Sequence, residues 1–308
     1  MSLLESIERR LLEELNPKVK LLLETGRYLI EGGGKRLRPL LTVLSCGMCG
    51  GDPERAIPLG VGLEYIHAAS LLHDDVVDGA GRRRGRSSAN SVFGNEVAVL
   101  TGDYMYAKAL HLFATYGNAE MIRVVSDAVM EMAQAQVLEL SRVGELISER
   151  EYLRIIDGKT AALFGACTAV GGMAGGWERW EELYRIGIHI GRAFQLIDDL
   201  LDYAGDPSTT GKPVGNDLRE GKATYPLLSV LGELGEERAR TILEKVNPSR
   251  EEIDTLRKEV IRLGGGERTR RRAGEELAIA KRLLSRFPDN EYKKEILKII
   301  ELVIKRDL

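Results

Sequence analysis

His73-Asp-Asp-Val-Val-Asp-Gly-Ala-Gly-Arg-Arg-Arg-Gly85 follows an apolar helical run from Leu59 to Leu72. Asp74 and Asp78 are four residues apart, and Asp75 and Asp78 three apart, so on a helix the three carboxylates occupy neighbouring surface positions. Gly79 and Gly81 follow at once, which puts the acids at the helix C-terminus. There they repel one another and meet the negative end of the helix dipole. Acids kept where they cost stability point to a bound cation. Arg82, Arg83 and Arg84, just beyond, suit phosphate oxygens.

Phe194-Gln-Leu-Ile-Asp-Asp-Leu-Leu-Asp202 repeats the arrangement. It also closes an apolar helix, and Gly205 and Pro207 come next. One D-D-x-x-D reads as a solvated acidic helix end. Two of them, each flanked by basic residues, form a specific pattern. With Gly33-Gly-Lys-Arg-Leu-Arg-Pro39, Lys159-Thr160, Phe194-Gln195 and Gly211-Lys-Pro-Val-Gly-Asn-Asp-Leu-Arg-Glu-Gly-Lys222, the chain resembles the trans-isoprenyl (polyprenyl) diphosphate synthases from about Gly32 to Pro226.

Length and composition bound the rest. The chain has 308 residues, 44% apolar but 6% aromatic, so its core is mostly aliphatic. A net charge of -3 argues against a general nucleic-acid partner. No stretch reaches the ~18 uncharged apolar residues of a membrane span. The charged, helix-like N-terminus is unlike a signal peptide, so a cytoplasmic protein is expected. Cys46-Gly-Met-Cys49 has no second pair and no βαβ surroundings, and with Cys167 it reads as buried, reduced cysteine.

Nearly every long segment has helical period. Leu3 to Leu12 begins one helix, which Pro17 ends. Val19 to Leu29 gives a second, and Pro39 suits the first turn of a third, to Met48. Pro53 and Pro58 introduce the helix with the first acidic motif. Val97 to Phe113, Ala119 to Val143, Ser148 to Ala174 and Trp177 to Tyr203 follow. No alternating strand is evident. The expectation is an all-α fold: residues 1–308 as one helical-bundle domain around a central cavity, with the acidic motifs on two facing helices.

The resemblance implies a Mg²⁺-dependent condensation. Mg²⁺ favours a few carboxylates, waters and substrate phosphates over an all-protein cage. Three ions, bound with the diphosphate, would be held by Asp74, Asp75, Asp78, Asp198, Asp199 and Asp202. Asp74, Asp78 and Asp198 would ligate directly; the others would ligate or orient water. An allylic diphosphate (farnesyl or similar) would ionise, and isopentenyl diphosphate would add to the cation. Arg83, Lys159, Gln195, Lys212 and Lys222 match contacts to the allylic substrate, and Thr160 would steady the cation. Lys35, Arg38, His67 and Arg84 match the isopentenyl diphosphate site. The resemblance also implies a homodimer.

Each residue has a plainer reading. Lys35-Arg-Leu-Arg38 alone would be a solvated charge run; after three glycines and before Pro39 it looks like a phosphate cradle. A lone helical histidine such as His67 is usually structural, and His73 faces away from the acids. Gly211-Lys-Pro-Val-Gly reads as a turn or as a loop that closes over a site. A class I terpene cyclase is the nearest rival, but its second motif usually mixes Asn, Ser or Thr, and Glu. Glu64-Tyr-Ile-His67 reads E-x-x-H, but a di-iron bundle needs a second copy, and none of the other histidines supplies it. A regulatory relative would show decayed motifs, and these are intact.

Chain length is read from the helix before Asp74. Ser70 and Ala69 lie about one turn down, roughly 6 to 8 Å. Short-chain members of the resembled family commonly carry a bulky aromatic there, which stops the tail. Both residues are small here, and Ile66 and Leu63 below are of medium size. A long product, about C30 to C40, is expected from so deep an apolar channel, of the kind used for quinone side chains. A shorter farnesyl or geranylgeranyl product is the alternative. Met105, Phe113 and Met132 are candidates for the deeper floor.

Overall fold

The computed structural model describes residues 2–205 and 214–305 and is almost entirely helical, the all-α fold expected. The principal helices are α1 (Leu3–Glu14), α2 (Lys20–Glu31), α3 (Leu37–Met48), α4 (Pro53–Val77), α5 (Ala89–Phe93), α6 (Asn95–Tyr116), α7 (Ala119–Ser141), α8 (Glu149–Ile156), α9 (Ala162–Ala174) and α10 (Trp180–Ala204). Shorter helices lead to Arg250–Arg262, Gly265–Leu284 and Glu291–Ile304. No described helix is long and apolar enough to cross a membrane.

Local signals set the helix starts. Ser2 and Ser148 accept from Glu5 and Glu151 N–H, and those glutamates reach back to the cap N–H, closing a capping box on α1 and α8. Asp52 caps α4, with Pro53 at its first position. Pro58 lies inside α4 rather than before it. It is buried in the second turn, where its ring removes the N–H that would bond the Glu54 carbonyl.

Two compact units are present. One comprises Met1–Asp127, Ala166–Tyr184 and Phe287–Ile296; the other comprises Ala128–Gly165, Arg185–Arg286 and Leu297–Leu308. In the first, α4 is buried by α3 and α6. Close approach sets the glycines there: a Cβ on Gly60 would come 3.1 Å from Pro39, and one on Gly102 would strike the His73 ring at 2.3 Å. Cys46 and Cys167 are buried in this unit, and burial pushes the Cys46 thiol up to about 11 and those of Cys49 and Cys167 to about 12. Cys46 and Cys167 are buried packing residues, as expected, whereas Cys49, at the C-terminal end of α3, is only half-buried.

Two local features differ from the sequence reading. Arg82–Arg83 pairs antiparallel with Arg86–Ser87, turning through Arg84 and Gly85 at φ 51° and 78°. Strands of two residues carry no alternation to read; the left-handed pair marks a tight hairpin turn. The segment from Ser148 to Ala174 is not one helix. A π-helical turn, Asp157–Ala161, separates α8 from α9, and the Ala162 N–H bonds the Asp157 carbonyl five residues back.

Candidate functional site

In the first unit, α4 delivers the first acidic motif. Asp74 is half-buried and Asp78 exposed, on one face. Asp75, one step round the helix, is fully buried. Arg83 grips it, with Nη2 2.6 Å from Oδ1 and Nε 2.8 and 2.9 Å from the two oxygens. Asp75 thereby ties the hairpin to the end of α4, and Arg83 spends its fork on that carboxylate.

The cations near α3 gather around His67. Arg38 stands in the first turn of α3, and burial lowers its pKa against the opposing charge of Glu64. Burial, and then Arg38, Arg84, Arg83 and Arg36, hold His67 well below its ordinary value. Partial burial, and Arg36, Arg83 and Arg38, also lower Arg84. A Cβ on Gly34, at φ 147°, would sit 3.1 Å from both the Arg36 and Arg84 guanidinia. Glycine therefore lets the two close on one point. Arg38 and Arg84, beside a neutral imidazole and backed by Arg36, form a positive cluster of the chemistry that suits phosphate oxygens. Lys35 is exposed beside it. Arg36, which the sequence reading passed over, anchors the group: it donates to Glu64 at 3.2 Å and to the Ile30 carbonyl at 2.5 Å. Glu64 is thereby explained as a buried ion-pair partner.

Along α4, Ala69 and Ile66 are buried and Ser70 is half-exposed, its hydroxyl donating to the His67 carbonyl at 2.9 Å. Phe113, on α6, packs against α4 further down, where a Cβ on Gly62 would stand 3.0 Å from its ring.

The second unit holds a cavity of about 110 Å³, room for several waters. Lys159, Thr160, Gln195, Asp199 and Lys222 all line it. Thr160 donates its hydroxyl to Gln195 Oε1 at 2.7 Å, and Gln195 Nε2 donates to Asp199 Oδ1 at 2.7 Å. Tyr152 Oη donates to the other Asp199 oxygen at 2.6 Å. Burial pushes Asp199 up to about 7, although both hydrogen bonds favour its ionised form. Asp198 is exposed. Asp202 accepts the Asn216 and Asp217 backbone N–H at 3.1 and 3.0 Å, which fixes the start of the helix Asn216–Arg219. Lys212 lies outside the described residues.

Three residues of this cavity escaped the sequence reading. Glu139 on α7 pairs with Lys159 and stands 3.6 Å from Lys222. Burial pushes its carboxyl up, but the two lysines outweigh that and hold it below the usual range. Tyr152 and Asp217 are the others, and burial pushes the Asp217 carboxyl well up. Asp217 lies in the quoted run ending at Lys222; Glu139 and Tyr152 carry no motif.

Among the described residues no three His, Cys, Asp or Glu side chains converge on a ready metal cage. The donors are separate carboxylates on helix ends, the chemistry a hard ion takes when substrate phosphate completes its shell.

Residues 19–262 match the profile of the polyprenyl synthetase family. The chain belongs to that family. It is 38% identical over 307 residues to the octaprenyl diphosphate synthase of Escherichia coli (strain K12), covering 98% of this chain and 95% of that one. A polyprenyl synthase from Caulobacter crescentus CB15, crystallised with calcium and isoprenyl diphosphate, superposes with a TM-score of 0.94 at 33% identity, over 99% of this chain and 95% of that one. A decaprenyl diphosphate synthase from Rhodobacter capsulatus does so at 0.90 and 34%, over 98% and 95%. As a member of the polyprenyl synthetase family the protein is an enzyme, a trans-prenyltransferase.

Proposed function

We propose that this trans-prenyltransferase condenses an allylic diphosphate with isopentenyl diphosphate, head to tail, and repeats the addition to about C30 to C40, a length that calls for a deep apolar channel. The observation that carries the reading is the second unit's cavity: Lys159 and Lys222 flank one anion position, and Thr160 is fixed beside them by Gln195. The long relatives, octaprenyl and decaprenyl diphosphate synthases, support the length. So do the small Ala69 and Ser70 on α4.

Lys159, Lys222 and Lys212 bind the allylic diphosphate and neutralise it as the carbon–oxygen bond breaks and the electron pair leaves with it. Glu139 holds Lys159 and Lys222 beside one another, offsetting their repulsion until that charge arrives. The Thr160 hydroxyl proton is committed to Gln195, so its oxygen lone pairs are left to face the allylic cation. Lys35, Arg38, Arg84 and neutral His67 hold isopentenyl diphosphate. Its double bond attacks the cation, a new carbon–carbon bond forms, and the proton lost from carbon passes to the released diphosphate. Asp74, Asp78 and Asp198 would hold Mg²⁺ directly, three ions in all, and Asp75, Asp199 and Asp202 would ligate or orient water; Mg²⁺ would supply charge neutralisation for the leaving diphosphate.

The chain acts as one catalytic domain in the cytoplasm and as a homodimer. Val99, Leu100 and Leu110, exposed apolar side chains on α6, support the dimer. Diphosphate release tests the reaction class: it should require Mg²⁺ and both substrates together. Release from the allylic substrate alone, with a cyclic hydrocarbon as product, would establish a cyclase instead.

A further inference from the structure

One stripe of α10 carries Arg192, Gln195 and Asp199, spaced three and four apart. Each reaches the same stretch of chain: Arg192 to Asp157, Gln195 to Thr160, Asp199 to Tyr152. The upper two rungs line the cavity already described. The third, Arg192–Asp157, does not line it. Arg192 Nε is 2.5 Å from Asp157 Oδ1 and Nη2 is 2.7 Å from Oδ2, a two-pronged grip. Behind it, buried Glu276 braces Arg192 at 3.7 Å while accepting Arg272 at 2.7 Å and pairing with His189 at 2.5 Å.

Asp157 opens the π-turn that carries Lys159 and Thr160. Such a turn inserts one residue into a helix and has poorer hydrogen bonds than α, so it persists where its surroundings hold it. Two glycines let it seat tightly: a Cβ on Gly158 would meet the Glu131 carbonyl at 2.7 Å, and one on Gly191 would meet the Ala161 backbone at 2.6 Å. Relaxation to a regular helix would rotate Thr160 by one residue's step, about 100°, and break its bond to Gln195.

We infer that Asp157 and Arg192 are positioning residues: their ion pair holds the π-turn in the register that presents Lys159 and Thr160 to the substrate. This rests on the prenyl-transfer reading above.

The test uses Asp157→Asn, Arg192→Gln, the double variant and Arg192→Lys, which keeps the charge without the fork. Each should lower kcat about 10- to 100-fold, since small misplacements of catalytic groups are expensive. The KM for isopentenyl diphosphate should stay within about twofold. The double variant should be no worse than either single one, and Arg192→Lys should be milder. Hydrogen exchange of the amides from 157 to 162 should speed up, with α4 unchanged. Lower melting temperature with unchanged kcat would mean a merely structural brace and overturn the inference. Unchanged exchange in the turn would overturn it too, and Arg192→Lys supplies that readout if a bolder variant fails to fold. A wild-type protein that transfers no prenyl group would refute the proposed function, and the exchange data would still decide whether the pair holds the turn.

Discussion

Arg83 reaches back from the hairpin to the buried Asp75 carboxylate at the end of α4, with three contacts of 2.6 to 2.9 Å. The three acids of the first motif therefore do different work. Asp75 organises the chain, while the proposed Mg²⁺ contacts fall to Asp74 and Asp78. Arg83→Ala strands a buried charge and should cost about 3 kcal/mol of stability. Asp74→Ala should leave the melting temperature unchanged or higher, because it relieves repulsion, yet nearly abolish turnover. Equal melting temperatures for the two variants would contradict this division.

His67 gives a pH signature. Burial and the surrounding guanidinium groups hold its folded pKa well below the ordinary value. The unfolded ring protonates below about pH 6.5, where the folded ring stays neutral. The unfolded state thus binds more protons, and stability should fall as pH drops through that value, by up to about 1.4 kcal/mol per unit. Above it the contribution is flat. His67→Gln should remove this part of the slope, as read from urea midpoints at several pH values; an unaltered slope would assign the titration elsewhere.

The basic residues should divide by substrate. Arg38→Ala is expected to raise the KM for isopentenyl diphosphate at least tenfold, the value of about one lost charge-assisted hydrogen bond, with little effect on the allylic KM. Lys222→Ala should do the reverse. Initial rates with one substrate varied at a time decide it, and equal shifts in both constants would merge the two sites.

The fold and the paired acids were legible because both rest on local spacing. Apolar residues at helical period show α4 and α10, and D-D-x-x-D at a helix end shows the clusters. What stayed hidden depends on partners far along the chain. Glu139 reads as one more surface acid until α7 brings it to Lys159. Asp75 gives no sign of its ion pair until the hairpin returns Arg83 to it. The π-turn at Asp157–Ala161 leaves no trace in periodicity, since its extra residue is held by Arg192 and by the glycines at 158 and 191.

Chain length can be moved on α4. Ala69 is fully buried, so Ala69→Phe adds an overpacking cost of about 1 to 3 kcal/mol, which complicates its reading. Ser70 is half-exposed on the same turn. Ser70→Phe should shorten the product to about C15 or C20, one turn above the floor, without stopping turnover. Phe113→Ala, which opens space beside Gly62, should lengthen it. Products of wild-type length from an active Ser70→Phe enzyme would show that the tail takes another path.

The most direct measurement is chromatography of the chains made from farnesyl diphosphate, excess isopentenyl diphosphate and Mg²⁺. Repeated condensation predicts a ladder at five-carbon intervals ending at about C30 to C40, the length a deep channel admits, and no product in EDTA. A single addition that stops at geranylgeranyl diphosphate, or elongation that continues unchanged in EDTA, would contradict the account.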